Sequence, residues 1–435
     1  MGRCKEFFQK GLKAEIVRVF SLNAISTFIK MCTGLISTKV VANIIGPSGV
    51  ALIGQLGSIN TILQGIASGG ISSGLTKYIA EYRSEESKIK SYISNGLYVA
   101  SLFTFIVSLI CILANRYLSN KIMLSAEYGY IFLILGFTIF LFTINSILIS
   151  ILNGYKEFTK YVIVNISTSI FSLLFSVILC LIWKLKGAMI SAVTFQSIVL
   201  IVTIIQCRKC SWFRLSYFIQ SKFDINIVKQ YLQYILMTLV SLSIIPLSQI
   251  ILRSYVISNI SITEAGWWEA MNRISNMYLS VITTSLSIYI LPRMSEINDK
   301  FQLKQELIKY YKFIIPLLLG CIVLIYLLRH LVVWLLYNPE FYPMEKLFIW
   351  QLIGDFFKIT SWILSYLMLA KSMTKEFIIT EIFFGLLMLG LSYFFVRNFG
   401  TVGLNIGYMI NYIIYFLVML ILFRDIIFSK NSKVI

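Results

Sequence analysis

Apolar runs of roughly 20 residues or more recur from Val17 almost to the end of this chain, and nothing else constrains its fold so strongly. A helix of that length crosses a hydrocarbon core of about 30 Å. In lipid, only helices and closed barrels satisfy every backbone N–H and C=O. The period-two alternation of barrel strands is absent. The expected fold class is therefore an all-α polytopic membrane protein with about twelve transmembrane helices. Composition agrees: 58% of the 435 residues are hydrophobic and 13% are charged, against about 25% charged in soluble domains. Too little polar surface remains to hold such a chain in water.

The first six spans are expected at roughly 17–45, 49–78, 92–115, 128–153, 161–183 and 187–207. Six more begin near Tyr231, Gly266, Phe313, Lys346, Phe377 and Val402, the last ending near Phe423. This divides the chain into an N-terminal six-helix bundle (1–207), a basic cytoplasmic linker (208–230) and a C-terminal six-helix bundle (231–435). Gly49-Val-Ala-Leu and Gly266-Trp-Trp-Glu both open the second span of their half, and 266 − 49 = 217, half of the chain. Both halves start on the same side, so they read as parallel repeats. Repeats of this kind rock about a site near the midplane.

The formal charge of +19 invites a nucleic-acid reading, but its distribution argues for membrane topology instead. With the N-terminus inside, the inner loops receive Lys77, Arg83, Lys88, Lys90, Lys156, Lys160, Arg208, Lys209, Arg214, Lys222 and Lys229. Arg293, Lys300, Lys304, Lys309, Lys312, Lys371, Lys375, Arg424, Lys430 and Lys433 continue the series. The outer loops hold chiefly Arg116, Lys121, Lys184, Lys186, Arg253, Arg329, Lys346 and Arg397. Both termini are expected in the cytoplasm. The basic N-terminal segment (Arg3, Lys5, Lys10, Lys13) lacks a small-residue cleavage site after a short apolar core and reads as leading into an uncleaved first span.

Several chemistries are hard to build here. The seven cysteines lie mostly inside apolar runs and form no disulfide framework. Cys207 and Cys210 make a lone C-x-x-C, and a chain with one histidine (His330) offers no second half for a zinc site. No glycine is followed by lysine, so there is no phosphate-binding P-loop. No loop is long enough for a folded domain with catalytic carboxylates. No cofactor, metal or nucleic acid is expected, and the chain reads as a transporter rather than an enzyme.

Ionisable groups inside spans are costly and usually face a cavity. Lys30 sits near the middle of the first span, and Lys39 lies about 180° around the helix from it, near the outer interface. Glu269 precedes Arg273 by four residues, the spacing of a helical ion pair, and that pair is either structural or functional. Asp355 and Lys358 stand at i, i+3 in the tenth span, where a structural clasp and a coupling site are both open. On this reading four bases (Lys30, Lys39, Arg273, Lys358) face two acids (Glu269, Asp355), and a cationic cavity suits an anionic, phosphate-bearing substrate. Gln55, Asn60 and Gln64 are candidates to line the same space. Trp267, Trp268 and the span-end tyrosines read as interfacial anchors, and His330 as a solvated residue at an outer helix end.

The matching stretches run in order along the chain. They are Gly46-Pro47-Ser48-Gly49, Gly70 to Tyr82 (GISSGLTKYIAEY), Arg273 to Leu279 (RISNMYL), Tyr289-Ile290-Leu291-Pro292 and Trp350 to Lys358 (WQLIGDFFK). In these the chain resembles the O-antigen and enterobacterial common antigen flippases (Wzx type). These form the polysaccharide-transporter branch of the superfamily that also holds the multidrug MATE exporters and the peptidoglycan-precursor flippases. The resemblance implies a V-shaped pair of six-helix bundles in the bacterial inner membrane. It implies a flippase moving undecaprenyl-diphosphate-linked O-antigen repeats from the cytoplasmic to the periplasmic leaflet by alternating access. It assigns the diphosphate to Lys30 and Arg273, with Lys39 and Lys358 beside them; Asp355 and Glu269 are the candidates for coupling to a proton or sodium. Membrane lipids, an O-antigen polymerase and a chain-length regulator are the partners implied. Asn276 stands where the family pattern places an acid after Ile-Ser. The rival readings are a MATE-type drug/cation antiporter, which would want a net acidic cavity, and a membrane-embedded O-antigen polymerase or glycosyltransferase, which would need a large outer loop.

Overall fold

The computed structural model describes the backbone of residues 2–219, 223–297, 299–371 and 373–427. Side chains are described from residue 24 onward, except at 215, 219, 233, 237, 241, 281, 284–289, 291, 292 and 296. The basic N-terminal side chains, Lys222, Lys430, Lys433 and most of Tyr289–Pro292 therefore lie outside the described residues. The chain divides into two compact units, one made of Met1–Ile44 and Leu56–Ser243, the other of Ile45–Gln55 and Ile244–Ile435.

The fold is helical throughout, with no strand among the described residues. Among the described residues, nine helices are long and apolar enough to cross a membrane. Two of these stretches, Ala24–Ala67 and Phe158–Cys207, have 44 and 50 residues, roughly 65–75 Å at 1.5 Å per residue, twice the thickness of the hydrocarbon core. Each holds one non-helical residue, Gly46 (φ 65°) in the first and Lys184 (φ 50°) in the second, where the chain breaks into two crossings. Counting both crossings of each, and the 35-residue helix Ile262–Glu296, gives twelve. Gly46 stands in the left-handed region that glycine enters without a Cβ penalty, and Pro47 follows it, with no N–H to give to a continuing helix.

The first unit takes most of α1 (Gly2–Ala67), α2 (Ile71–Glu81), α3 (Glu86–Leu113), α4 (Asn115–Ile122), α5 (Gly129–Gly154), α6 (Phe158–Cys207), α7 (Leu215–Ile219) and the first half of α8 (Ile225–Asn259). The second expected span is interrupted: α1 stops at Ala67 and α2 starts at Ile71, with Gly69 and Gly70 at φ 60° and 58° between them. The close approach of α8 explains this, since a Cβ on Gly70 would stand 3.1 Å from the Ile235 backbone. The core below packs Ile71, Leu75 and Ile79 against Ile93, Ile151 and Tyr231. Small polar residues then tie neighbouring helices together, as expected where lipid gives no hydrophobic drive for association. Thr104 donates to Thr143 at 2.9 Å and Ser108 to the Gly136 carbonyl at 2.7 Å.

The second unit takes the rest of α8, α9 (Ile262–Glu296), α10 (Lys300–Leu327), α11 (Arg329–Leu336), α12 (Phe348–Ala370), α13 (Thr374–Phe399), α14 (Thr401–Leu422) and α15 (Arg424–Ile427). It also captures the middle of α1, residues Ile45–Gln55. Gly266 is the reason α9 can lie so close there. A Cβ on it would come within 2.0 Å of the Pro47 carbonyl oxygen. Gly266→Ala is therefore expected to cost about 1–3 kcal/mol through overpacking, seen as a lower melting temperature in detergent. An unchanged melt would show that α9 and α1 part there at no cost. The core of this unit gathers Ile363, Leu364, Leu367, Tyr408, Tyr412 and Met419. Outside, large apolar side chains stand exposed on both units, among them Phe28, Leu113, Phe137, Phe313 and Phe394. Only a lipid surround accommodates so much uncovered apolar area.

Candidate functional site

Lys30 is exposed near the middle of the first crossing. At about 100° per residue, Ser26, Thr33 and Ser37 fall within about 60° of it, and Ser37 bonds Ser176 of α6 at 3.5 Å within the first unit. Ile25, Phe28 and Ile36 point the other way by about 120–160°, and they are 52%, 66% and 51% exposed, a lipid-facing stripe. Lys39 lies on that apolar stripe, opposite Lys30. Structure and periodicity thus set Lys30 on a polar, accessible face and Lys39 on the face turned to lipid, where its stem can snorkel. The two do not come together.

Arg253 is the largest departure from the sequence reading. Expected in an outer loop, it lies inside α8 and is 1% exposed. Its Nη2 donates to Glu269 Oε2 at 2.6 Å and its Nη1 to Gln55 Oε1 at 2.9 Å. The Trp268 ring lies 5.5 Å from its guanidinium carbon. Arg273 Nε donates to the other Glu269 oxygen at 3.0 Å. One carboxylate therefore sits between two guanidiniums, the expected Glu269–Arg273 pair being half of a triad. Gly54 makes the room, for a Cβ there would press within 2.3 Å of the Glu269 carboxyl carbon. Gln55 is fully committed, donating also to Ser254 Oγ at 2.7 Å and to the Ile250 carbonyl at 3.3 Å. It positions Arg253 rather than lining an open space. Arg273 stays a quarter exposed, and its two terminal nitrogens have no hydrogen-bond partner among the described residues.

Asp355 and Lys358 do not form an ion pair with each other. Asp355, fully buried, accepts from Ser275 Oγ at 2.7 Å, Tyr408 OH at 2.6 Å, Gln351 Nε2 at 3.3 Å and the Tyr278 hydroxyl. Asn405 holds Gln351 in turn at 2.7 Å. Lys358 instead lies over three rings, 4.9 Å from Trp362, 5.3 Å from Tyr412 and 5.5 Å from Tyr408, a cation–π cage. A spacing of i, i+3 brings two side chains to one face, but hydroxyls from α9 and α14, rings from α14, and Gln351 and Trp362 of α12 itself took both partners here. Asn60 lies in the first unit, where its Nδ2 donates to the Ala192 carbonyl at 3.2 Å. It is thus not in the same unit as Gln55.

Glu381, well inside α13, was also missed. It lines a small cavity with Trp362 and Tyr412, two of the rings around Lys358. Within the second unit's span interiors Arg253, Arg273 and Lys358 are now matched by Glu269, Asp355 and Glu381, a sum of zero. The first unit's span interiors hold Lys30 and Lys39 and no acid. The excess of two positive charges expected from sequence survives, but all of it belongs to α1.

The remaining expectations concern the periphery. Trp268 is buried under Arg253 rather than anchoring an interface, while Trp267 Nε1 donates to the Glu340 carbonyl at 2.8 Å. His330 is exposed and bonded to Glu345 at 2.8 Å. Cys207 and Cys210 are free thiols. Burial pushes the Cys210 thiol up, outweighing the nearby Lys160 ammonium, which disfavours a reactive thiolate.

The polysaccharide biosynthesis protein family model matches residues 16–298, well over half of the 435. The chain belongs to this family. Proteins similar to it include the lipid III flippases of Escherichia coli (strain K12) and Shigella flexneri. Each is 26% identical over 393 residues, covering 90% of this chain and 94% of the relative. Among solved structures, an inward-facing MATE-family multidrug resistance transporter of the MOP superfamily superimposes with a TM-score of 0.78 at 15% identity, over 93% of this chain and 96% of that one. The lipid II flippase MurJ in an inward closed conformation gives 0.74 at 17% identity, over 94% of each. At these identities the structural matches establish the fold of this polysaccharide biosynthesis family member, an all-helical transporter fold in a multi-pass membrane protein. Arg253, which the sequence placed in an outer loop, and Glu381, which it left out, lack the i, i+4 partner that flagged Glu269. Only their depth inside an apolar helix would have betrayed them.

Proposed function

We propose that this protein is a flippase for undecaprenyl-diphosphate-linked oligosaccharide, moving O-antigen repeat units from the cytoplasmic to the periplasmic leaflet of the inner membrane by alternating access. Both termini lie in the cytoplasm on this reading, as the positive-inside bias of the loops indicates. The observation that carries it is the location of the charge excess. The second unit neutralises its own buried charges, and Lys30 stands uncompensated on the polar, accessible face of α1. A lone cation in low dielectric is costly unless an anion arrives, and a lipid diphosphate supplies one at the depth of a headgroup carried across. Arg273 supports it with its two uncommitted nitrogens, which suit a phosphate's bidentate geometry. A drug exporter for cations would want the opposite sign. The names of the lipid III and lipid II flippases agree with the reading.

Translocation in proteoliposomes tests it: the purified chain is expected to expose a glycosylated undecaprenyl diphosphate, reconstituted on one leaflet, to a glycosidase on the other side. Equal exposure in protein-free vesicles would end the proposal. Asp355 is the coupling candidate, a buried carboxylate whose donors are all neutral. Asp355→Asn keeps its shape and removes its charge. The variant is expected to lose the dependence of translocation on an imposed proton or sodium gradient while retaining gradient-free exchange. Gradient dependence that survives would remove Asp355 from the coupling role and leave it as a packing device. An O-antigen polymerase and a chain-length regulator would take the product on the far side.

A further inference from the structure

We propose that the first unit carries a subsite for an uncharged glycan headgroup, in the concavity between α2, α5 and α6. This deepens the flippase reading and rests on it. The concavity holds about 610 Å³, within the range of small-molecule pockets. Eleven of its thirteen lining residues carry a hydroxyl or an amide, and none is charged. That pattern excludes a phosphate or a metal ion as the preferred occupant, because each would need charge compensation. It equally disfavours an acyl chain, since amides facing hydrocarbon lose their hydrogen bonds to water and gain none in return. A polyol meets both conditions.

The lining divides into committed and uncommitted groups. Ser72 is occupied by Ser146 at 3.0 Å and Asn145 accepts from Thr203 at 2.6 Å, so these brace the walls. The side chains of Asn153, Tyr161, Asn165 and Gln196, by contrast, have no hydrogen-bond partner among the described residues. They come from three crossings and all line the same space. Two of them are amides on facing helices, Asn165 on α6 before its break and Gln196 after it. Each offers donors and an acceptor together, the combination that a ring of hydroxyls pairs with. Tyr161 adds a ring against which the C–H face of a sugar packs. Sequence reading assigned the span-end tyrosines to interfacial anchoring, and this one does more. The concavity lies toward the end of the unit that carries Lys156 and Lys160, the side from which a lipid-linked glycan made in the cytoplasm would load.

The test uses the detergent-solubilised full-length protein and two probes: bare undecaprenyl diphosphate, and the pool of diphosphate-linked glycolipids extracted from the source cells with organic solvent. Native mass spectrometry reads which lipids are retained. Wild type is expected to retain the glycan-bearing lipid over the bare one by about tenfold, the worth of one or two net hydrogen bonds. Asn165→Leu/Gln196→Leu is expected to bring that preference within about twofold and leave retention of the bare lipid unchanged. The bare lipid serves as the check on folding. Should the double variant lose it as well, Tyr161→Ala at the rim decides by the same measure. A preference that survives in the decisive variant overturns the subsite, as does a wild type that holds the bare lipid equally well. A wild type that retains neither lipid overturns the flippase reading itself, a separate result.

Discussion

Lys30→Ala is expected to slow translocation of a diphosphate-linked lipid by at least about tenfold, and Lys39→Ala to change it by less than about twofold. The first figure follows from losing a hydrogen bond to a charged group, worth about 1.5–3 kcal/mol, with 1.4 kcal/mol making a factor of ten. The second follows from the face on which Lys39 stands, alongside exposed Phe28 and Ile36, from which a long stem snorkels toward the interface. Lys30→Arg should recover most of the activity, because a guanidinium also binds phosphate, whereas Lys30→Gln should not. The proteoliposome assay reads all four, with protein abundance in the membrane as control. Equal losses for the two alanine variants would mean that α1 has no special face, and the assignment of the diphosphate to Lys30 would fall.

The second large effect concerns stability. Glu269 carries the negative charge for two guanidiniums, one of them fully buried. Glu269→Gln removes the carboxylate that Arg253 and Arg273 share. The expected loss is about 3–5 kcal/mol, the usual cost of breaking a buried ion pair by removing one partner. Arg253→Met is expected to be the milder change, since Glu269 keeps Arg273 as a partner. The double variant Arg253→Met/Glu269→Met should be less damaging than Glu269→Gln alone, because the fully buried guanidinium leaves with its carboxylate and only the quarter-exposed Arg273 loses its partner. Thermal melting in detergent ranks the three. If Glu269→Gln melts no lower than Arg253→Met, the carboxylate is not the hub of the triad.

Lys358 shows how local spacing misleads. Glu269 and Arg273, four apart, do pair as a helical rule predicts. Asp355 and Lys358, three apart, share a face but end with different partners: hydroxyls and an amide for the acid, aromatic rings for the base. The difference lies on the facing helices. α9 brings Ser275 and Tyr278, and α14 brings Tyr408 and Tyr412. Nothing within α12 announces them.

By itself the sequence determined that the chain is helical, that it crosses the membrane about twelve times and that its intramembrane charge is net basic. These properties depend on composition and on periodicity within one helix, where the solvent, lipid, sorts side chains one span at a time. The tertiary structure alone decided which charges cancel. Arg253 and Glu269 lie sixteen residues apart on two helices, and Gln55 lies 198 residues before Arg253. No repeat length links such positions, because their contact follows from how helices pack and not from how one helix turns. The span-interior charge left over once these cancel is that of Lys30 and Lys39 on α1, and Lys30 is the one on its polar face. The same packing gathers four uncommitted polar side chains from three crossings into one concavity.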